Sequence, residues 1–305
     1  MSSKCVRTLE QSISETLAYF DLLDFPLTKE ELWRYLWQAP SGAAAAFAAA
    51  LNRLKTGGTV AEKFGFHYLA GRGLLIEERR ARGLVSEQKR QRASQAARLV
   101  GRLPFIRAVF LSSSVAAENA APESDLDFFI ITAPGRLWLA RFFANALLRL
   151  LGWRVYGRER RDRICLCFFV AANQLDLAPL RVADDDIHFA YWLHQMLPLY
   201  DPHHYYDQLI AVNRWTRSYL PNIERPTPPI QSELRPSGGK RDDWAERLTR
   251  FIQWHWLLPE IKQRANSPDH SVVIAPGALK FHLNDSRERY RQQWRAKIVY
   301  FRQDN

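Results

Sequence analysis

Two carboxylates, Asp125 and Asp127, lie two residues apart where an apolar run begins. Side chains at positions i and i+2 of a strand share a face, so these carboxylates are expected to repel each other unless a cation lies between them. Mg²⁺ commonly takes such a place, because it binds one or two protein carboxylates together with phosphate oxygens. The same pattern also occurs as an ordinary turn, in which Asp side chains accept hydrogen bonds from nearby backbone N–H groups. The residues around the pair decide between these alternatives.

The pair is preceded by an apolar run at 106–111 and by a hydroxyl-rich turn, Ser112 to Ser114, and a second apolar run follows at 128–131. This order predicts a strand at 106–111, a small-residue turn, a short helix near 114–119 and a second strand at 126–132. From about 105 to 170 the chain resembles the polymerase-beta-like nucleotidyltransferase superfamily. Members of that superfamily carry Gly-Ser or Gly-Gly in the turn and Asp-x-Asp on the second strand.

The resemblance implies a Mg²⁺-dependent transfer of a nucleoside monophosphate from a nucleoside triphosphate to an acceptor. Asp125 and Asp127 are then the expected catalytic and Mg²⁺-binding residues. Ser113 and Ser114 are the expected nucleotide-binding residues, because in the superfamily the backbone N–H groups of the turn hold the triphosphate. The acceptor is left open by the sequence and is a small molecule, a protein or an RNA.

A basic run at 158–163 precedes the next predicted strand and contains Arg160, Arg161 and Arg163. The resemblance places these arginines within reach of the triphosphate, and Arg161 and Arg163 are assigned to nucleotide binding. A solvated surface loop is the alternative interpretation of this run.

The chain departs from the superfamily pattern at two positions. Ser113 stands where glycine would allow a positive φ and a close approach of the backbone to phosphate. The third acid expected on a later strand is also missing. The run 164–170 instead holds Cys165 and Cys167 on one face, and Cys167 is taken as the equivalent of the acid. Asp162 or Asp176 would replace it only in a different strand register. These departures favour an alternative function, a catalytically inactive nucleotide- or nucleic-acid-binding regulatory protein of the same fold.

The cysteines give no zinc-site spacing of their own. Cys165 and Cys167 have no further Cys or His close to them in the sequence, so they are interpreted as core residues. The chain has three cysteines without a pairing pattern, and its first residues lack the apolar core of a signal peptide. Both features predict a cytoplasmic protein.

The composition of the chain limits the class of protein and the kinds of partner that are expected. The 305 residues are 47% hydrophobic and carry a net charge of +11, so a foldable protein with a positive field is expected, which attracts nucleotides, nucleic acids or acidic partners. The longest apolar stretch, 137–151, is interrupted by Arg141 and Arg149 and is too short to cross a bilayer. It is interpreted as a buried helix, and no membrane role is expected.

The first 76 residues predict a winged-helix-like domain of three helices and a β-hairpin that turns near Gly65. Thr28 and Glu31 form a capping-box pattern at the start of the second helix. The third helix is rich in alanine and offers few side chains to base edges, which favours a packing or protein-contact role over DNA reading. Residues 19–28 also resemble the N-terminal segment of uncharacterised bacterial and archaeal proteins that join such a region to a nucleotidyltransferase domain.

The remaining chain completes a mixed α+β or α/β organisation. A connecting helix is predicted over 77–103 and a nucleotidyltransferase-like core with a mixed sheet over 104–182. A helical extension follows over 183–225, with helices expected at 184–199 and 205–220. A linker rich in Pro and Gly is predicted over 226–243, and a helical C-terminal segment over 244–305.

Overall fold

The computed structural model describes residues 7–157, 159–223 and 244–303. These parts of the chain form a mixed α/β structure with eleven α-helices, a sheet of six strands and a smaller sheet of three. The predicted mixed α/β class is therefore confirmed at this level. The linker predicted over 226–243 lies outside the described residues. None of the helices in the described parts combines the length and the apolar character needed to cross a bilayer.

The N-terminal region contains three helices and a small antiparallel sheet with the strand order β1-β3-β2. Its elements are α1 Leu9–Asp21, β1 Leu27–Thr28, α2 Lys29–Arg34, α3 Ala43–Thr56, β2 Val60–Lys63 and β3 Phe66–Leu69. The capping box predicted at α2 is confirmed: Thr28 Oγ1 accepts the N–H of Glu31 at 3.2 Å, and the Glu31 carboxylate accepts the N–H of Thr28 at 2.9 Å. The helices and the hairpin agree with the prediction, and the winged-helix description of this region stays a prediction.

The large sheet has six strands: β4 Ile106–Leu111, β5 Leu126–Thr132, β6 Ile164–Ala171, β7 Leu197–Tyr200, β8 Val272–Ala275 and β9 Ala278–Phe281. Their order in the sheet is β7-β4-β5-β6-β9-β8, in which β5 and β6 are parallel and all other neighbours are antiparallel. Its first elements in the chain are α4 Leu75–Gly101, β4 Ile106–Leu111, α5 Ser113–Ala116, β5 Leu126–Thr132, α6 Leu137–Leu150 and β6 Ile164–Ala171. These bounds confirm the strands predicted at 106–111, 126–132 and 164–170 and the intervening helices within a few residues.

Alternate residues of the central strands pack on opposite faces of the sheet, as strand geometry requires. Phe128 and Ile130 of β5 belong to a core shared with α4 and α6. Phe129 and Ile131 belong to a second core on the other face, shared with α7 Ile187–Gln195 and α8 Tyr205–Val212. Because both faces are covered, β5 is a rigid support for residues at its ends.

The helix predicted over 184–199 is shorter than expected. It begins at Ile187, where Asp186 caps it by accepting the N–H of Phe189 at 3.1 Å, and it ends at Gln195. Residues 197–200 instead form β7 Leu197–Tyr200, an edge strand paired with β4. Pro198 explains the change, because proline breaks a helix interior and forces the preceding residue into an extended conformation, yet it is tolerated on an edge strand.

The prediction of a wholly helical segment over 244–305 is wrong between residues 272 and 281. The described elements are α9 Trp244–Trp256, α10 Pro259–Gln263, β8 Val272–Ala275, β9 Ala278–Phe281 and α11 Arg287–Gln303. The hairpin β8–β9 extends the large sheet, since β9 pairs with β6 through Phe168 and Lys280. Two short apolar runs around Pro276-Gly277 are a hairpin signal. The hairpin was nevertheless missed, because each strand has only four residues and the strand with which β9 pairs, β6, lies far away in the sequence.

The last helix, α11, packs against the first helix, α1. Trp294 of α11 is buried and donates its indole N–H to the carbonyl oxygen of Glu15 in α1 at 2.9 Å. Tyr191 of α7 stacks on Tyr19 of α1 with ring centroids 4.7 Å apart. The N-terminal region therefore shares one hydrophobic core with α7 and α11.

Candidate functional site

A cavity of about 350 Å³ lies where β5, β6 and β9 approach α7 and the start of α11. Its walls come from the residues after β4, from the start of β5, from β6, from the loop before β6, from α7 and from residues 280–287. Its volume falls within the usual range of small-molecule sites. Six parts of the chain therefore meet at this one place.

Asp125 and Asp127 both line this cavity, as the strand pattern predicts. Asp125 directly precedes β5, and Asp127 is paired with Cys165 of the parallel strand β6. Burial and then the negative charge of Asp125 raise the pKa of the Asp127 carboxyl to about 6. Hydrogen bonds to Asp127 from Ser113 and the two cysteines act in the opposite direction. Crowded carboxylates of this kind favour the approach of a cation.

Ser113 lines the same cavity and has a φ of +61°, in the left-handed region that glycine favours. The backbone at this position thus has a positive φ although a serine, which disfavours it, occupies the position. The preceding residue Ser112 donates its N–H to the carbonyl oxygen of Asp127 at 2.9 Å, which fixes the turn against β5. Ser114 belongs to the short helix α5 and is not part of the cavity wall.

The positive φ at Ser113 predicts a difference in stability between two variants at this position. Ser113→Gly and Ser113→Ala both remove the hydroxyl, so they differ only in their tolerance of a positive φ. We expect the glycine variant to exceed the alanine variant in free energy of unfolding by about 1 kcal/mol, measured by denaturant titration.

The matched control is Ser114, which has no positive φ. There the order of the two variants should reverse, because alanine is favoured over glycine in a helix. An alanine variant at 113 as stable as the glycine variant would contradict the strained turn.

Cys165 and Cys167 both face the cavity beside Asp127. The Sγ atom of Cys167 lies 3.6 Å from Asp127 Oδ1 and 2.9 Å from His282 Nε2. The ligand atoms of Asp127 and the two cysteines all lie within 4.8 Å of one another. The interpretation of the cysteines as core residues is therefore wrong for Cys165, which is partly exposed, and incomplete for Cys167, which is buried but lines the cavity.

The two alternative third acids do not reach the site. Asp162 accepts a hydrogen bond from the buried Lys89 ammonium at 2.6 Å, and Asp176 accepts the N–H of Ala178 at 2.9 Å. Neither residue lines the cavity. The position beside Asp127 on β6 is thus occupied by thiols.

The three arginines before β6 are placed differently from one another. Arg160 lines the cavity, and its Nη1 atom lies 4.0 Å from Asp125 Oδ2. Arg161 instead pairs with Glu123 at 3.5 Å, and Arg163 donates to the carbonyl oxygen of Gly152 at 2.8 Å. Neither of these two predicted nucleotide-binding residues is part of the wall, because the turn directs their side chains elsewhere.

The C-terminal segment adds charged groups that the sequence pattern did not indicate. Asp285 forms ion pairs with Lys280 and, at 2.9 Å, with Arg287. Arg287 also contacts the helix-capping Asp186 at 3.2 Å. Burial, together with the charge of Arg287, lowers the pKa of the Lys280 ammonium to about 8. These buried ion pairs hold residues 280–287 against α7 and so shape one wall.

Aromatic side chains form another wall. Trp192 of α7 is stacked with Phe168 at a centroid distance of 5.8 Å and with Phe189 at 5.5 Å. All three line the cavity, and Trp192 is partly exposed. A flat ring is the kind of ligand that such a wall accommodates. The cavity therefore combines an acidic end, a cationic loop and an aromatic wall.

Comparison of the chain with protein-family models, with curated proteins and with solved structures gave no significant match.

Proposed function

We propose that this protein is a metal-dependent nucleotidyltransferase that moves a nucleoside monophosphate from a nucleoside triphosphate to an acceptor. The observation that carries the proposal is the convergence of Asp125, Asp127 and Ser113 on one cavity. These are the residues at which the sequence resembles the polymerase-beta-like superfamily. The acceptor is a hydroxyl or amine of a small molecule, a protein or an RNA.

The carboxylate pair fits a Mg²⁺ ion. Asp125 and Asp127 supply two oxygen ligands in one place, and substrate phosphates with water complete the coordination that Mg²⁺ prefers. The pKa of Asp127 is raised by burial and by Asp125, which is the electrostatic condition that a divalent cation relieves. The ion supplies neutralisation of the charge that develops between the attacking and leaving oxygens.

The other walls of the cavity offer side chains that would bind the phosphates and the base of a nucleotide. Arg160 is the cationic side chain at the acidic end, where it would bind phosphate oxygens that Asp125 alone would repel. Trp192 offers a partly exposed ring on which a base would stack. The turn at Ser113 brings backbone close to the carboxylates, where the superfamily holds its triphosphate.

The direct test uses the purified full chain with Mg²⁺ and each of the labelled nucleoside triphosphates in turn. Small molecules, proteins and RNA from a cell extract are supplied separately as acceptors, and label on the protein itself is also measured. Label retained on one acceptor class in a Mg²⁺-dependent manner supports the proposal. Absence of Mg²⁺-dependent label transfer to every acceptor class and to the protein itself would overturn it.

A second candidate function is favoured by the thiols of Cys165 and Cys167 in the place of a third acid. In that case the protein binds a nucleotide or a nucleic acid without turnover and acts as a regulator. Nucleotide binding without label transfer would support this alternative. For nucleic acid, a steep fall of affinity with salt concentration is expected, because phosphate contacts release counterions.

The proposed phosphate contact can be tested with Arg160→Gln. We expect the affinity for a nucleoside triphosphate to fall about tenfold at low salt, because one charge-assisted hydrogen bond is lost. The difference from the unchanged protein should shrink as salt is raised. Equilibrium binding of a fluorescent nucleotide measures both effects.

Arg161→Gln is the matched control. Arg161 lies in the same loop with nearly the same side-chain exposure, 64% against 63% for Arg160, but it is not part of the cavity wall. Equal losses in the two variants would mean that the effect comes from net charge alone and would remove Arg160 from the proposed contact.

A further inference from the structure

Four side chains with metal-binding atoms converge at the inner end of the cavity. Asp127, Cys165 and Cys167 have their ligand atoms within 4.8 Å of one another. His282, from the residue directly after β9, adds its Nε2 atom at 2.9 Å from Cys167 Sγ. Only the two cysteines are close in the sequence, so the set is visible only in the folded chain.

We propose that Asp127, Cys165, Cys167 and His282 form a binding site for a thiophilic divalent cation of the Zn²⁺ type. Two thiolates, one imidazole and one carboxylate are the donors that four-coordinate Zn²⁺ takes in proteins. Mg²⁺ binds sulfur ligands poorly, so these four side chains select a softer ion than the pair Asp125 and Asp127 does. Metal binding forms two metal–sulfur bonds and releases the two thiol protons to solvent.

The distances between the donors can be compared with those of a tetrahedral site. Ligand atoms bound to one zinc at about 2.0 to 2.3 Å are about 3.3 to 3.8 Å apart. Cys167 Sγ is 3.6 Å from Asp127 Oδ1 and 2.9 Å from His282 Nε2. Three donors, those of Asp127, Cys165 and Cys167, lie within 4.8 Å of one another, and His282 contacts Cys167 but is farther from at least one of the other two. Rotation of the His282 side chain toward them would complete a tetrahedral arrangement.

The backbone holds the donors in place before an ion binds. Asp127 lies on β5, the cysteines on β6, and His282 directly follows β9, and these are three neighbouring strands of one sheet. Asp127 and Cys165 are direct partners in the parallel register, and Lys280 is the partner of Phe168. A site on adjacent strands needs little reorganisation on binding.

The surrounding charges are compatible with a cation. Lys280 lies two residues before His282, but its ammonium pairs with Asp285 and also donates to the carbonyl oxygen of His270 at 2.6 Å. Arg287 is likewise paired, with Asp285 and Asp186. Lys280 and Arg287 therefore have acidic partners of their own, whereas the positive charge of Arg154 acts on both cysteines.

The proposal extends beyond the transfer reaction, because it concerns ion binding in the absence of nucleotide. Asp127 belongs both to this set and to the carboxylate pair. A thiophilic ion would therefore compete with Mg²⁺ for Asp127 and inhibit nucleotide transfer, a consequence that rests on the proposed function.

Cobalt spectroscopy tests the site without any substrate. The full chain is treated with a chelator under reducing conditions and titrated with Co²⁺. We expect one ion per chain to give thiolate-to-cobalt charge-transfer absorption together with the visible bands of a tetrahedral complex. Added Zn²⁺ should bleach these bands and raise the melting temperature.

Substitutions assign the ligands. Cys165→Ser and Cys167→Ser should each weaken the charge-transfer band, the double variant should lose it, and His282→Asn should lower Co²⁺ affinity at least tenfold. Cys5→Ser is the control, because it removes the remaining cysteine, and its spectrum should be unchanged. Far-ultraviolet circular dichroism establishes that each variant is folded.

A titration without the charge-transfer band, or a folded double variant that keeps it, would overturn the site. This result is independent of the label-transfer assay. Cobalt binding without transfer would leave the metal site standing and remove the proposed function, and transfer without cobalt binding would do the reverse.

Discussion

Asp125→Asn is expected to reduce Mg²⁺-dependent nucleotide transfer by about a thousandfold, because loss of a metal ligand removes several kcal/mol of charge stabilisation in the transition state. Asp125 lines the cavity beside Asp127 and precedes β5, so the substitution leaves the strand pairing intact. Removing its negative charge also relieves the repulsion that contributes to the raised pKa of Asp127. We therefore expect unfolding stability to be unchanged or slightly increased, measured by denaturant titration alongside the initial rate of label transfer.

Glu123→Gln is the matched control for this variant. Glu123 is an exposed acid in the same loop, pairs with Arg161 and does not line the cavity. It should keep transfer within about twofold, since exposed ion pairs contribute little. A folded Asp125→Asn variant with undiminished transfer would show that the carboxylate pair has no catalytic role.

Asp285→Asn is expected to lower the free energy of unfolding by about 3 to 5 kcal/mol, because it leaves the buried Lys280 without its acidic partner and Arg287 with Asp186 alone. Lys280 and Arg287 are 3% and 7% exposed in their side chains, and both pair with Asp285. Chemical denaturation of the full chain measures the loss. Glu288→Gln is the control, because Glu288 is 45% exposed and its pair with Arg291 contributes at most about 1 kcal/mol.

The same variant should change the acid sensitivity of the fold. Burial acts to raise the pKa of Asp285, but hydrogen bonds from Arg287 and the charge of Lys280 hold it well below its usual range. This carboxylate therefore stabilises the fold above its unfolded pKa of about 4, and the contribution is lost as pH falls towards the lower folded value. Between about pH 5 and 2 the variant should lose less stability than the unchanged protein. Parallel pH profiles would contradict the proposed ion pairs.

Local sequence patterns were sufficient to predict the features that depend on residues close together in the chain. The capping box at Thr28 in the N-terminal region and the strand that contains Asp127 in the candidate site are both found as expected. The shared orientation of Asp125 and Asp127 follows from the alternation of side chains along a strand. Ser113 shows the limit of residue preference, because hydrogen bonding of the turn to β5 maintains a positive φ that serine alone disfavours.

The part of the candidate site that the sequence did not predict depends on contacts between residues far apart in the chain. His282 and Asp285 reach the cavity only because β9 pairs with β6, and four-residue strands carry too little periodicity to reveal that pairing. The choice of Arg160 over Arg161 and Arg163 depends on how a short turn directs three basic side chains within four residues, which composition does not specify. Likewise, the helix predicted over 184–199 ran past Pro198, and nothing local indicated the strand that β7 adds to the sheet edge.

The position of β9 in the sheet also sets when the cavity becomes complete during synthesis. Cys167 and His282 are separated by 115 residues, so several seconds of translation, at about 5 to 20 residues per second, pass between them. During this interval the β6 edge is unpaired on the ribosome, and unpaired strand edges favour aggregation. A nascent chain thus carries the acidic pair and both thiols before the imidazole that contacts them has been made.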